Sequence, residues 1–232
     1  MPWRHELRVT EAELAVTTAD LLAESITGAV EVRGVANVAL SGGRTPWAAL
    51  RILARRALPW RALHLWQVDE RIAPDGDPIR NATGLATSLV DHVGIPAHHL
   101  HLMAVTRPDI EAAAADYAAE LADHCGGVLD LVHLGMGPDG HTASWVPGDD
   151  VIDVVDRDVA LTSTTYQGTR RMTLTVPVVN RARARLLAVG GADKVTALAR
   201  YRAGDTDLAV SRLNPLTTLI DATDPGATDA GH

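Results

Sequence analysis

Short apolar runs recur along this chain, separated by amphipathic stretches rich in alanine, leucine and arginine. The runs VANVAL (35 to 40), LHLWQV (63 to 68), LDLVHL (129 to 134), VALTS (159 to 163), MTLTV (172 to 176) and RLLAVG (185 to 190) are near-continuous in hydrophobicity and often β-branched. Runs of that length and character predict strands covered on both faces. Between several of them, roughly 11 to 32, 46 to 57, 81 to 92, 109 to 124 and 192 to 203, apolar residues return at helical spacing. The alternation predicts an α/β fold, a Rossmann-like, mostly parallel sheet with helices on both faces. Ligands bind such sheets outside the carboxyl ends of the strands. The loops that follow the apolar runs are therefore where chemistry is expected.

Composition narrows the picture. With 232 residues, 47% of them hydrophobic and 22% charged, the chain can bury a sizeable core. One domain is expected over 1 to 220, and the small, polar stretch 221 to 232, DATDPGATDAGH, is expected to be a flexible tail. Phe is absent, so Leu, Val, Ala and five Trp must fill the interior. The opening MPWRHELRVTEAELAV has no apolar run of signal-peptide or membrane-span length, and the single cysteine, Cys125, cannot form an intrachain disulfide. Both features fit a cytoplasmic protein with no membrane partner. About 34 residues precede the first expected strand and are assigned to one helix, too few for a separate DNA-binding module. A formal charge of −8 weighs against a general nucleic-acid surface. Nothing in the sequence sets the oligomeric state, monomer or small homo-oligomer.

The strand-end loops carry the candidate chemistry. SGGRTP follows the first apolar run; Gly42 and Gly43 permit close backbone approach, Thr45 is a candidate N-cap, and Pro46 suits a first helical position. Free N–H groups at a helix start beside Arg44 make an anion site, although an ordinary strand-to-helix turn has the same composition. After the second run, Asp69, Glu70 and Arg71 stand together ahead of Asn81, either at the binding edge or as a surface ion-pair cluster. LGMGPDGHTASWVPG (134 to 148) follows the third run. There Gly135 and Gly137 allow a sharp turn, and Asp139 can orient His141 across Gly140. A carboxylate-held imidazole at a strand end suits general-base chemistry; the alternative is an Asp-Gly turn with an incidental histidine.

Arg170 and Arg171 precede a further strand, and Lys194 follows Gly191 at a helix start. Lys194 is the sole lysine among 21 basic residues, so an ordinary solvated position, elsewhere given to arginine, explains it poorly. His98, His99 and His101 in AHHLHLM lack cysteine or acidic partners at ligand spacing, and no metal site is expected. His133 is expected to be packed in the core.

Together, ALSGGRTP (39 to 46), VDER with Pro74 and Asn81, LGMGPDGHTAS with Pro147-Gly148, RMTLTVPVVNRA (171 to 182) and VGGADK (189 to 194) resemble the 6-phosphogluconolactonase family, which shares its fold with the glucosamine-6-phosphate deaminases. The segments occur in family order. The resemblance implies hydrolysis of 6-phospho-D-glucono-1,5-lactone, a small-molecule sugar-phosphate substrate, in the oxidative pentose phosphate pathway and without cofactor. It makes His141 the general base and Asp139 its orienting partner. Gly42, Gly43, Arg44 and Thr45, with Arg171 and Lys194, would surround the 6-phosphate. Asp69, Glu70, Arg71, Asn81 and Gly137 complete the expected substrate-binding set.

The sequence departs from the family pattern at Pro138, at Arg80 and in Ser144-Trp145-Val146. A deaminase would carry a proton-transferring glutamate where Val146 stands, which ranks that activity lower. A non-catalytic sugar-phosphate sensor is the other alternative, against which stands the presence of both Asp139 and His141.

Overall fold

The computed structural model describes residues 3–223; most of the expected tail, 224 to 232, lies outside them. Seven strands form a parallel sheet in the order β1 (Trp3–Arg8), β10 (Leu216–Ala222), β9 (Ala184–Gly190), β6 (Leu131–Gly135), β2 (Ala36–Leu40), β3 (Leu63–Gln67) and β5 (Leu100–His101). Residues alternate between two cores, as the period of a strand requires. Val38, Leu40, Leu65, Leu131, Leu186 and Ile220 pack with helices α1 (Glu11–Arg33), α2 (Arg44–Leu53) and α3 (Asn81–Ser88). Ala39, Trp66, Val132, Leu134, Leu187 and Leu219 pack with α4 (Ile110–Cys125), α5 (Val176–Arg181) and α6 (Val195–Arg202).

Helix α1 shows how local sequence sets an element. Thr10 accepts from the Glu13 N–H at 3.3 Å while the Glu13 carboxylate accepts from the Thr10 N–H at 2.9 Å, a reciprocal cap. Gly34, at φ 77°, ends the helix in a left-handed conformation that favours glycine. Leu14, Thr18, Leu22, Ile26 and Ala29 recur at three- and four-residue intervals and are buried. Burying one such leucine contributes about 1.5–3 kcal/mol.

Two strands differ from expectation. β1, in a segment expected to be helix alone, pairs on the sheet edge with β10. β10 itself runs through the expected boundary at 220: Asp221 is 6% exposed, and Arg202 donates to it at 2.6 Å. Thr217, Thr218 and Asp221 interrupt the apolar run there, although Leu219 to Ala222 are all buried. A second, antiparallel sheet, β4 (Asp69–Arg71), β8 (Arg171–Leu174) and β7 (Val159–Leu161), also lies outside the expected parallel pattern. It sets Arg71 opposite Arg171.

The topology fixes where ligands go. From β2 the chain moves through β3 to β5 on one side, then crosses to β6 on the other. The carboxyl ends of β2 and β6 thus flank the point where strand order reverses, the position at which open α/β sheets bind ligands.

Candidate active site

A cleft of about 360 Å³ opens at that point. It is lined by the turn after β2 (Ser41 to Pro46), the end of β6 (Gly135 to Gly137), His141, Arg171 on β8, and the Gly190–Gly191 turn with Lys194. Asp69, Arg71 and Asn81 close another wall, and Glu11 and Leu14 of α1 contribute to the rim.

The β2 turn is built by glycine. At Gly42 a Cβ would come within 1.9 Å of the Asn81 Oδ1 atom, so only glycine admits that side chain. Gly43, at φ 128°, is the N-cap, and α2 begins at Arg44. Thr45 is therefore the second helical residue and not the expected cap, and Pro46 the third and not the first. The glycine makes the turn alone, so the chain enters the helix earlier. No side chain caps this end; the first-turn N–H groups, which have no intrahelical partners, are available to an anion.

At the end of β6 the turn holds an acid–imidazole pair. The His141 Nδ1–H donates to Asp139 Oδ1 at 2.6 Å, and the Tyr166 hydroxyl donates to Asp139 Oδ2 at 3.1 Å. The His141 backbone N–H reaches the same carboxylate at 3.2 Å. Burial pushes the Asp139 carboxyl up, but its bonds and charge interaction with His141, together with the tyrosine, outweigh that and hold it well below the usual carboxylate range. With its proton on Nδ1, His141 presents the lone pair of Nε2, which bonds to none of the described residues. Two glycines make this possible. A Cβ on Gly137 would lie 2.1 Å from the imidazole, and Gly140 turns at φ 81° beneath Leu208.

Four cations line the cleft: Arg44, Arg71, Arg171 and Lys194. Arg171 is 3% exposed, lies 5.2 Å from the centre of the Tyr166 ring, and donates to the Tyr166 carbonyl at 3.2 Å. Its Nε is buried without a hydrogen-bond partner among the described residues, and burial draws its pKa down. Lys194 meets Asp193 at 3.1 Å, and Arg71 donates to Asn81. Asp69 accepts from the Ser144 hydroxyl at 2.6 Å and from Asn81 Nδ2 at 3.1 Å, which fixes it on the wall.

Of the expected substrate-binding residues, Glu70 does not line the cleft. It is fully buried, accepts from the Asn81 and Ala82 backbone N–H groups at 2.7 and 2.8 Å, and pairs with Arg80 at 3.0 Å. Its carboxylate thus anchors the amino end of α3, a position favoured by the helix dipole. Arg80, one of the sequence departures, is the buried counter-charge of this anchor.

Tyr166 went unnoticed in the sequence because no motif surrounds it. The signal was the pairing of VAL and RMTL as a hairpin, whose tip, with Gln167 at φ 53° and Gly168 at φ 86°, delivers the tyrosine to Asp139 and His141.

Comparison with known proteins shows the family and the fold. Residues 9–221 match the family model described as glucosamine-6-phosphate isomerases/6-phosphogluconolactonase. A 6-phosphogluconolactonase of Synechocystis is 36% identical over 87% of this chain and 83% of its own length. One from Streptomyces coelicolor is 36% identical over 82% and 79%. Among solved structures, a Thermotoga maritima 6-phosphogluconolactonase superposes with a TM-score of 0.85 at 26% identity, covering 93% of this chain and 97% of that one. A monomeric glucosamine-6-phosphate deaminase, at 20% identity and TM-score 0.82, shares the fold. The chain belongs to the glucosamine-6-phosphate isomerase/6-phosphogluconolactonase family.

Proposed function

We propose that this chain hydrolyses 6-phospho-D-glucono-1,5-lactone to 6-phosphogluconate, with His141 as general base. The observation that carries the reading is the 2.6 Å bond from His141 to Asp139 at a cleft whose other walls hold Arg44, Arg171 and Lys194. The relatives named 6-phosphogluconolactonase supply the substrate. No helix among the described residues is long and apolar enough to cross a membrane, and a cytoplasmic setting is part of the proposal.

In this mechanism the phosphate sits on the N–H groups of the 42 to 45 turn, with Arg44 and Lys194 neutralising its charge. Binding at the far end of the sugar holds C1 near His141, so remote contacts contribute to positioning the reacting carbon. His141 Nε2 takes a proton from water as the water oxygen bonds to C1, and the carbonyl electrons move onto oxygen. Collapse of the tetrahedral species restores the carbonyl and breaks the bond from C1 to the ring oxygen, which receives the proton from the imidazolium. Asp139, itself steadied by Tyr166, keeps the Nδ1–H tautomer and stabilises the transient cation. General-base assistance of about 10²–10⁴-fold suffices for an ester that also opens unaided.

The deaminase activity has less support. Val146 is 2% exposed and carries no group that can move a proton. The test is a pH-stat assay offering 6-phosphogluconolactone and glucosamine 6-phosphate separately, with spontaneous opening subtracted. Acid release from the first substrate alone is expected; ammonia from the second would overturn the assignment.

A further inference from the structure

We propose that His64, His101 and His124 form a binding site for one divalent transition-metal ion of the zinc class, remote from the cleft. One ring nitrogen from each lies within 4.8 Å of the other two. The residues come from three elements, β3, β5 and α4, and none of them lines the cleft. Nothing in their sequence spacing brings them together; the fold does. His101 stands beside Trp66 in the β3–β5 pairing, and His64, two residues before Trp66, shares its face of the sheet. Helix α4 covers that face. Its Tyr117 hydroxyl accepts from the Gln67 N–H at 2.8 Å, which locks the helix onto β3. Glu120 and His124, one and two turns further along the same stripe, then fall on the imidazoles.

The hydrogen bonds assign the tautomers. His101 Nδ1 lies 2.6 Å from the Glu120 carboxylate, so the proton sits there and the Nε2 lone pair faces His64. A carboxylate behind a ligating imidazole is the usual outer partner of a metal-bound histidine. Across from it, His64 Nδ1 is 2.9 Å from His101 Nε2. Bonds of 2.0–2.1 Å at tetrahedral angles put two ligand nitrogens about 3.4 Å apart, so a small separation of the rings admits an ion in place of the shared proton. Trp66 stacks on His101 at 3.6 Å and His99 on His64 at 3.8 Å, which fixes both ring planes.

His64 is half-buried and His124 exposed, so an ion can enter from solvent, and three protein ligands leave a position for water. Three imidazoles select zinc, copper, nickel or cobalt over calcium and magnesium, which prefer oxygen. Bound there, the ion would tie the two-residue edge strand β5 and the carboxyl end of α4 to β3.

Chelator-treated full-length protein should bind one equivalent of Zn2+ in calorimetry, and Co2+ should give a low-symmetry visible absorption that Zn2+ bleaches. His124→Ala, on the exposed side of the helix, should fold normally, turn over substrate at the wild-type rate, and bind Zn2+ at least about 100-fold more weakly. Glu120→Gln should weaken binding by about 10–100-fold, as loss of an outer partner does. His141→Ala should bind Zn2+ as the wild type does. Absence of saturable binding, binding unchanged in His124→Ala and Glu120→Gln, or binding lost only in His141→Ala would each overturn the proposal.

Discussion

Strand β6 holds one histidine inside the sheet, and the loop at its carboxyl end holds another eight residues later. His133 is fully buried, neither ring nitrogen has a hydrogen-bond partner among the described residues, and burial pushes its pKa down to about 4. His141 has one nitrogen held by Asp139 and the other turned to a cleft lined by cations. The side chain is the same; place decides what it does. Within the strand an imidazole is a neutral packing element whose unpaired nitrogens cost stability. Past the strand's end, glycines free the backbone, a carboxylate selects the tautomer, and the imidazole is set for the general-base role proposed for it.

The sharpest way to break this contrast is to remove each ring in turn. His141→Ala should lower kcat by about 10²–10⁴-fold while leaving 6-phosphogluconate binding nearly intact, read by steady-state kinetics and calorimetry. Wild-type turnover in that variant would end the general-base role.

His133 should report on stability instead. Its folded pKa lies below the unfolded value near 6.5, so the unfolded chain binds the extra proton; stability is complete above pH 6.5 and is lost as pH falls toward 4. Urea melts should show His133→Leu losing about 2 kcal/mol less than wild type between pH 7 and pH 5. Equal losses in the two proteins would mean that the interior ring is not held neutral.

Lys194→Ala sharpens the other half of the cleft. Losing one charge-assisted contact, about 1.5–3 kcal/mol, should raise KM by about 10–100-fold with a smaller effect on kcat. Tyr166→Phe should have the smallest effect: one hydroxyl bond to Asp139, about 1 kcal/mol, lowers kcat a few-fold. Equal kcat in Tyr166→Phe and wild type would show that the tyrosine does not help Asp139 hold His141.

Legibility followed burial. β2, β3, β6 and β9 are buried along most of their length and stood out in the sequence, as did the glycine-rich loops after β2, β6 and β9. The edge strand β1, WRHELR, has four exposed residues, and its polarity concealed it. The last two residues of β10, Asp221 and Ala222, fell within the expected tail, and β4 consists of three charged residues whose strand character depends on pairing with β8. Glu70 resembled its neighbours Asp69 and Arg71, yet strand alternation turns it away from the cleft to anchor α3. His64, His101 and His124 are separated by 37 and 23 positions, and only tertiary packing brings them together.

A crystal structure with 6-phosphogluconate bound tests the central claim most directly. The account predicts the phosphate on the N–H groups of residues 43 to 45 beside Lys194, with C1 within about 4 Å of His141 Nε2, the reach of one water or hydrogen bond. A phosphate seated elsewhere, or a carboxyl end turned away from His141, would contradict it.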